Sequence, residues 1–153
     1  MPLPVGHAGR SATYMKRVLL VEDHESDVAE IKAAFERFSL DVQLEHSRST
    51  ELAWELMQCW AAAPGGRRPV CVLLGQLAGP RDGLWLLERM QEDRLFRQLP
   101  VIALSREAGM SDRARVFSNV VGALERPVDE LAWRRVISAV ARISQSLPHL
   151  AGA

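Results

Sequence analysis

VLLVEDHESD, residues 18–27, decides the fold. Four apolar residues stop abruptly at two acids, Glu22 and Asp23, and a polar stretch follows. A run this short and this apolar reads as a strand covered on both faces, as strands of parallel sheets are. Beyond it the period changes. Val28, Ile31, Phe35 and Phe38 recur at spacings of three and four, the mark of a helix with one buried face.

Working outward, the same alternation repeats along the chain. Strands are predicted over residues 17–21, 42–45, 70–74, 101–104 and, more weakly apolar, 120–124. Between them, Leu52, Leu56, Met57 and Trp60 mark a second helix that stops before Pro64-Gly65-Gly66, and Leu84, Leu87 and Met90 mark a third. A fourth helix is predicted roughly over residues 111–118. Trp133, Val136, Ile137, Val140 and Ile143 give the last helix its apolar stripe. Strict β-then-α order implies right-handed crossovers and a parallel sheet, so the expected fold is a flavodoxin-like (βα)5 sandwich. In such sheets the chemistry sits outside the carboxyl ends of the strands. Glu22 and Asp23 stand at one such end. Two adjacent carboxylates suit a hard divalent cation such as magnesium, which takes oxygen ligands and keeps several waters.

The chain has 153 residues, 48% of them hydrophobic and 25% charged, the makeup of one globular domain. Residues 1–14 and 145–153 carry Pro, Gly and Ser without an apolar period, so the domain is expected over 15–144 between a disordered lead and a tail. Nineteen basic and nineteen acidic side chains cancel, which leaves no electrostatic footprint for nucleic acid or an anionic membrane. No apolar run approaches the roughly 20 residues a membrane span needs. Cys59 and Cys71 are too few for a disulfide framework or a zinc site, and a cytoplasmic protein with reduced thiols is expected. No glycine-rich phosphate cradle follows any strand, and the loop after the first strand carries acids where a flavin phosphate needs donors.

Four segments, VLLVED at 18–23, VCVLLGQLAGPRDG at 70–83, LPVIALS at 99–105 and ERPVDE at 125–130, come in the order and spacing of a response-regulator receiver domain of two-component systems. The resemblance covers about residues 16–143. EDRLFRQLPVIALS at 92–105 and GGRRP at 65–69 are most similar to the single-domain regulators associated with bacterial phytochrome kinases. It implies the strand order 2-1-3-4-5. It also implies a signalling role in which a carboxylate ending the third strand takes phosphate from a kinase, with the acidic pair holding magnesium. Matched residue by residue, Glu22 and Asp23 occupy the acidic-pair positions and Ser105 the hydroxyl position.

The departures decide what the resemblance implies for function. Gly75 stands at the phosphoacceptor position, so no nucleophile is present there. Arg126 replaces the lysine, and its planar fork pairs with carboxylates unlike a compact ammonium. Ala123 replaces the switch aromatic, and Gly79 with Pro80 shifts the loop proline. With one carboxylate gone, Glu22 and Asp23 are expected to hold magnesium weakly at best, leaning also on the carbonyl near Leu77, with Arg126 competing for them. Arg81 and Arg106 flank the same mouth, and the Arg126–Pro127 bond is expected to be cis by the family pattern. His24 follows the acidic pair and could ligate a metal there, but reads better as an exposed loop residue.

The expected function is therefore a pseudo-receiver: not an enzyme, without a resident cofactor, and acting as a phosphorylation-independent adaptor in two-component phosphorelay signalling. Its expected partner is a histidine kinase, another signalling protein or a second copy. The alternative is a phosphate-accepting regulator that uses an off-position carboxylate such as Asp82. The expected interaction face is built from the fourth helix, the fifth strand and the fifth helix, and on that last helix Leu131, Arg134, Arg135, Ser138 and Arg142 fall off the core stripe.

Overall fold

The computed structural model describes residues 16–38, 40–63, 68–75, 80–105, 112–125 and 129–146. Five strands form one sheet: β1 (Lys16–Val21), β2 (Val42–Ser47), β3 (Cys71–Leu74), β4 (Val101–Ser105) and β5 (Val120–Glu125). All neighbouring pairs are parallel and the order is β2-β1-β3-β4-β5, as the alternation and the family pattern predict. Among the described residues, four longer helices connect and follow them: α1 (Glu25–Arg37), α2 (Thr50–Ala62), α3 (Gly83–Gln91) and α4 (Glu130–Ser146).

The sheet is buried on both faces because successive strand residues point to opposite sides and both sides are apolar. Leu19, Val21, Val72, Leu74, Val101 and Ala103 meet α2 and α3 through Met57, Leu86, Leu87 and Met90. Val18, Leu20, Leu73, Ile102 and Leu104 meet α1 and α4 through Ile31, Phe35, Trp133 and Val136. The Ser49 hydroxyl caps α2 by accepting from the Leu52 amide at 3.1 Å. The Asp82 carboxylate caps α3 by accepting from the Trp85 amide, also at 3.1 Å.

Two helical expectations are corrected. Helical spacing puts Leu52 on the buried stripe of the second helix, but it is 55% exposed; Met57 is buried as expected, Leu56 and Trp60 pack against the core, and Ala53 rather than Leu52 completes the stripe. The fourth helix does not extend over residues 111–118 among the described residues. Only 112–114 are helical, and the next bonds, Phe117 amide to Ala114 carbonyl and Val120 amide to Phe117 carbonyl at 3.1 Å each, close tight four-residue turns. Helices in proteins persist mainly by burying an apolar face. Here Ala114 is fully buried and Phe117 packs partly on the core, while Val116 is 79% exposed, so little apolar burial favours continuing the helix.

The same segment reaches the sheet's outermost strand. Arg115 donates from its guanidinium to the Ala123 carbonyl at 2.7 Å. Between β4 and β5 the register skips: Val101 faces Val120 and Ile102 faces Gly122, so Val121 bulges out and is 58% exposed.

Candidate functional site

The carboxyl ends of β1, β3 and β4 lie side by side because those strands are neighbours. They deliver Glu22 and Asp23 after β1, Gly75 after β3 and Ser105 as the last residue of β4. Ser105 is buried and stands opposite Glu125 of β5 in the register. Arg126, Leu77, Gly79, Arg106 and the Arg126–Pro127 bond lie outside the described residues.

Glu22 and Asp23 are not equivalent, although adjacent in sequence. Glu22 is buried, 4% exposed, and its backbone is held on both sides: its amide donates to the Ser47 carbonyl at 3.1 Å, and its carbonyl accepts from His46 Nε2 at 2.8 Å. A carbonyl only accepts, so His46 carries its proton on Nε2. The Glu22 side chain turns back on its own loop. Its Oε2 accepts from the amides of Asp23 and His24 at 3.1 Å each and lies 3.2 Å from His24 Nδ1. The same imidazole nitrogen is 2.9 Å from Asp23 Oδ1, so His24 bridges the two carboxylates at the mouth. The sequence reading missed this role for His24.

The other oxygen, Oε1, covers Gly75. A β-carbon on residue 75 would stand 2.3 Å from Glu22 Oε1, 3.0 Å from its Cδ and 3.0 Å from the Val21 carbonyl oxygen. Real β-carbons do not come that close to a carboxylate oxygen. The Gly75 amide donates to that Val21 carbonyl at 2.8 Å, which fixes the close approach of the two strand ends. The place where a side chain at 75 would begin is thus filled by the Glu22 carboxylate.

Glu22, Asp23 and His24 offer ligand atoms within 4.8 Å of one another. As arranged they do not fit magnesium. One Glu22 oxygen is turned onto Gly75, the other is bonded to two amides, and an imidazole nitrogen stands between the acids where an octahedral oxygen shell needs water. The arrangement can hold its loop and the N-terminus of α1, whose N-cap, His24, makes no side-chain capping bond.

Elsewhere, Asp82 is committed to capping α3. Arg81 pairs with Glu51 at 2.8 Å and lies 5.3 Å over the Trp85 ring, while its carbonyl accepts from the Thr50 hydroxyl. Ala123 is buried within β5. On the outer side of α4, Leu131 (59% exposed), Arg134, Arg135, Ser138 and Arg142 line one open groove of about 260 Å³. Arg134 also lies 5.8 Å from the Phe38 ring. No helix among the described residues is long and apolar enough to cross a membrane.

No protein-family model and no curated protein matches the chain. Solved structures do. The bacteriophytochrome response regulator RtBRR is 24% identical with a TM-score of 0.70, over 84% of this chain and 78% of that one. The bacteriophytochrome response regulator AtBRR is 24% identical with a TM-score of 0.68, over 84% and 94%. The Mn(2+)-bound form of response regulator Rcp1 is 21% identical with a TM-score of 0.61, over 84% and 91%. The fold is that of response-regulator receiver domains, phytochrome response regulators among them.

Proposed function

We propose that this receiver-fold chain works in two-component phosphorelay signalling as a phosphorylation-independent adaptor, a pseudo-receiver that binds other proteins without taking up phosphate. The observation that carries this reading is the closed strand end: Gly75 offers no carboxylate, and the Glu22 carboxylate occupies the space a side chain there would need. Phosphoryl transfer to a receiver requires a carboxylate nucleophile and a metal to neutralise the phosphoryl oxygens. Here the first is missing and the acidic pair is engaged with its own loop. Asp82, the alternative acceptor, is engaged in the α3 cap. The chain is accordingly not an enzyme, carries no resident cofactor, and binds magnesium weakly.

The partner is a histidine kinase or another signalling protein in the cytoplasm, or a second copy of the chain. The face of α4 bearing Leu131, Arg134, Arg135 and Arg142 supports binding there, since arginine around an apolar anchor is a composition enriched at interfaces. Incubation of the full chain with a small phosphodonor and magnesium, read by intact mass, tests the reading. An unchanged mass is expected. A stoichiometric gain of one phosphoryl group would overturn it, and loss of that gain in Asp82→Ala would identify the acceptor.

A further inference from the structure

Two explanations compete for a weak metal site at Glu22 and Asp23. One is arithmetic: a carboxylate is missing at position 75. The other is geometric, and it depends on where the Glu22 side chain lies. That side chain stays near Asp23, with which its Oε2 shares the His24 imidazole, but neither of its oxygens is free. It is buried, with Oε1 in the space beside Gly75 and Oε2 on the amides of Asp23 and His24. Nothing but the lack of a β-carbon at 75 permits this, because that atom would sit 2.3 Å from Oε1.

We propose that Gly75 is the seat of a carboxylate latch: Glu22 folds one oxygen into the space beside it and commits the other to its own loop, and so closes the acidic pair to divalent cations. Metal affinity is then governed by volume at position 75 and not by the number of carboxylates. Any β-carbon there displaces Oε1 toward the mouth, where it is free to act as a ligand together with Asp23. Glu22 Oε1 is the far end of a flexible side chain and can swing away, whereas the Val21 carbonyl at 3.0 Å has to give by a few tenths of an ångström. Metal affinity is independent of whether the chain binds a partner, so this latch and the adaptor role stand or fall separately.

Gly75→Ala is the discriminating variant, because it adds volume and no ligand. Manganese is the probe, since its free ion is counted directly by its paramagnetic resonance signal; the full chain is titrated. Gly75→Ala is expected to bind Mn2+ about tenfold more tightly than the unmodified chain, equivalent to about 1.4 kcal/mol. The double variant Gly75→Ala with Glu22→Gln is expected to return to the starting affinity. A folded Gly75→Ala chain with unchanged Mn2+ affinity overturns the latch, as does a double variant that keeps the gain. Should Gly75→Ala fail to fold, Glu22→Asp decides. One methylene shorter, it keeps an acid beside Asp23 but cannot span to Gly75. A gain in affinity supports the latch, and no gain overturns it.

Discussion

Gly75→Asp would place a carboxylate at the end of β3, and the structure sets what that costs. The new β-carbon arrives 2.3 Å from Glu22 Oε1, so Glu22 has to leave. Its departure strips the amides of Asp23 and His24 of a charged acceptor. Each such loss costs roughly 1–3 kcal/mol, toward the low end where water can take over, as it can at this mouth. Two carboxylates brought within about 4 Å then repel by up to about 4 kcal/mol at an effective dielectric of 20, before Glu22 rotates outward to relieve it. A net destabilisation of about 2–4 kcal/mol is expected without metal, a fall in Tm of roughly 6–12 °C for a chain of this size. Millimolar magnesium should return most of that loss, because three acids can now share the ion. The assay is thermal unfolding by circular dichroism with and without magnesium, beside intact mass after exposure to acetyl phosphate. Phosphate uptake is expected, by attack of the introduced carboxylate on phosphorus with acetate leaving. A Gly75→Asp chain as stable as the original in the absence of metal would refute the placement of Glu22 over Gly75.

Asp82→Ala removes the α3 cap and should lower stability by about 1 kcal/mol in urea denaturation; no change would mean that Trp85 finds another partner. Burial pushes the Cys71 thiol up from 9.0 to about 12. The folded state thus keeps a proton that the unfolded state loses, so stability from this group is complete below pH 9 and is lost as pH rises toward 12, by about 4 kcal/mol in all. Unfolding free energies at pH 8 and pH 11 should therefore converge more closely in Cys71→Ala than in the original chain, and parallel pH dependences would contradict this. Double charge reversal, Arg135→Glu with Arg142→Glu, should leave the melting temperature within about a degree, since both side chains are exposed. It should weaken a captured partner by at least about tenfold, and undiminished binding would move the interface off α4.

The strand runs were legible because nearly every residue in them is apolar, and burial on both faces is the only arrangement that uses such runs. From their alternation with helices the parallel sheet follows, and the family pattern supplies its order. Gly75 could also be read as an absent carboxylate from one letter. What could not be read was the response of its neighbour. Glu22 and Asp23 are adjacent acids in sequence, and only the approach of β1 to β3 makes a space that one of them can fill. His24 is exposed, as its sequence position suggests, but its contacts with both acids could not be read because they depend on the turn preceding α1. Leu52 misled because it lies one position before Ala53, the small residue that faces the core in the first turn of α2, and hydrophobicity alone favours the larger side chain. The segment after residue 111 misled because apolar residues such as Val116 count as core only when something packs against them.

The guanidinium of Arg115 on the Ala123 carbonyl bears on how the molecule behaves in a crowded solution. β5 is the last strand of the sheet, and an outermost strand invites a stranger's backbone to dock alongside it, the first step toward fibrils. A charged side chain already bonded to one of its carbonyls, beside a bulge at Val121 that breaks the straight run of the edge, makes that lateral growth unfavourable. At this edge the five-stranded sheet resists a sixth strand, so β5 is a poor template for zippering to a neighbouring chain.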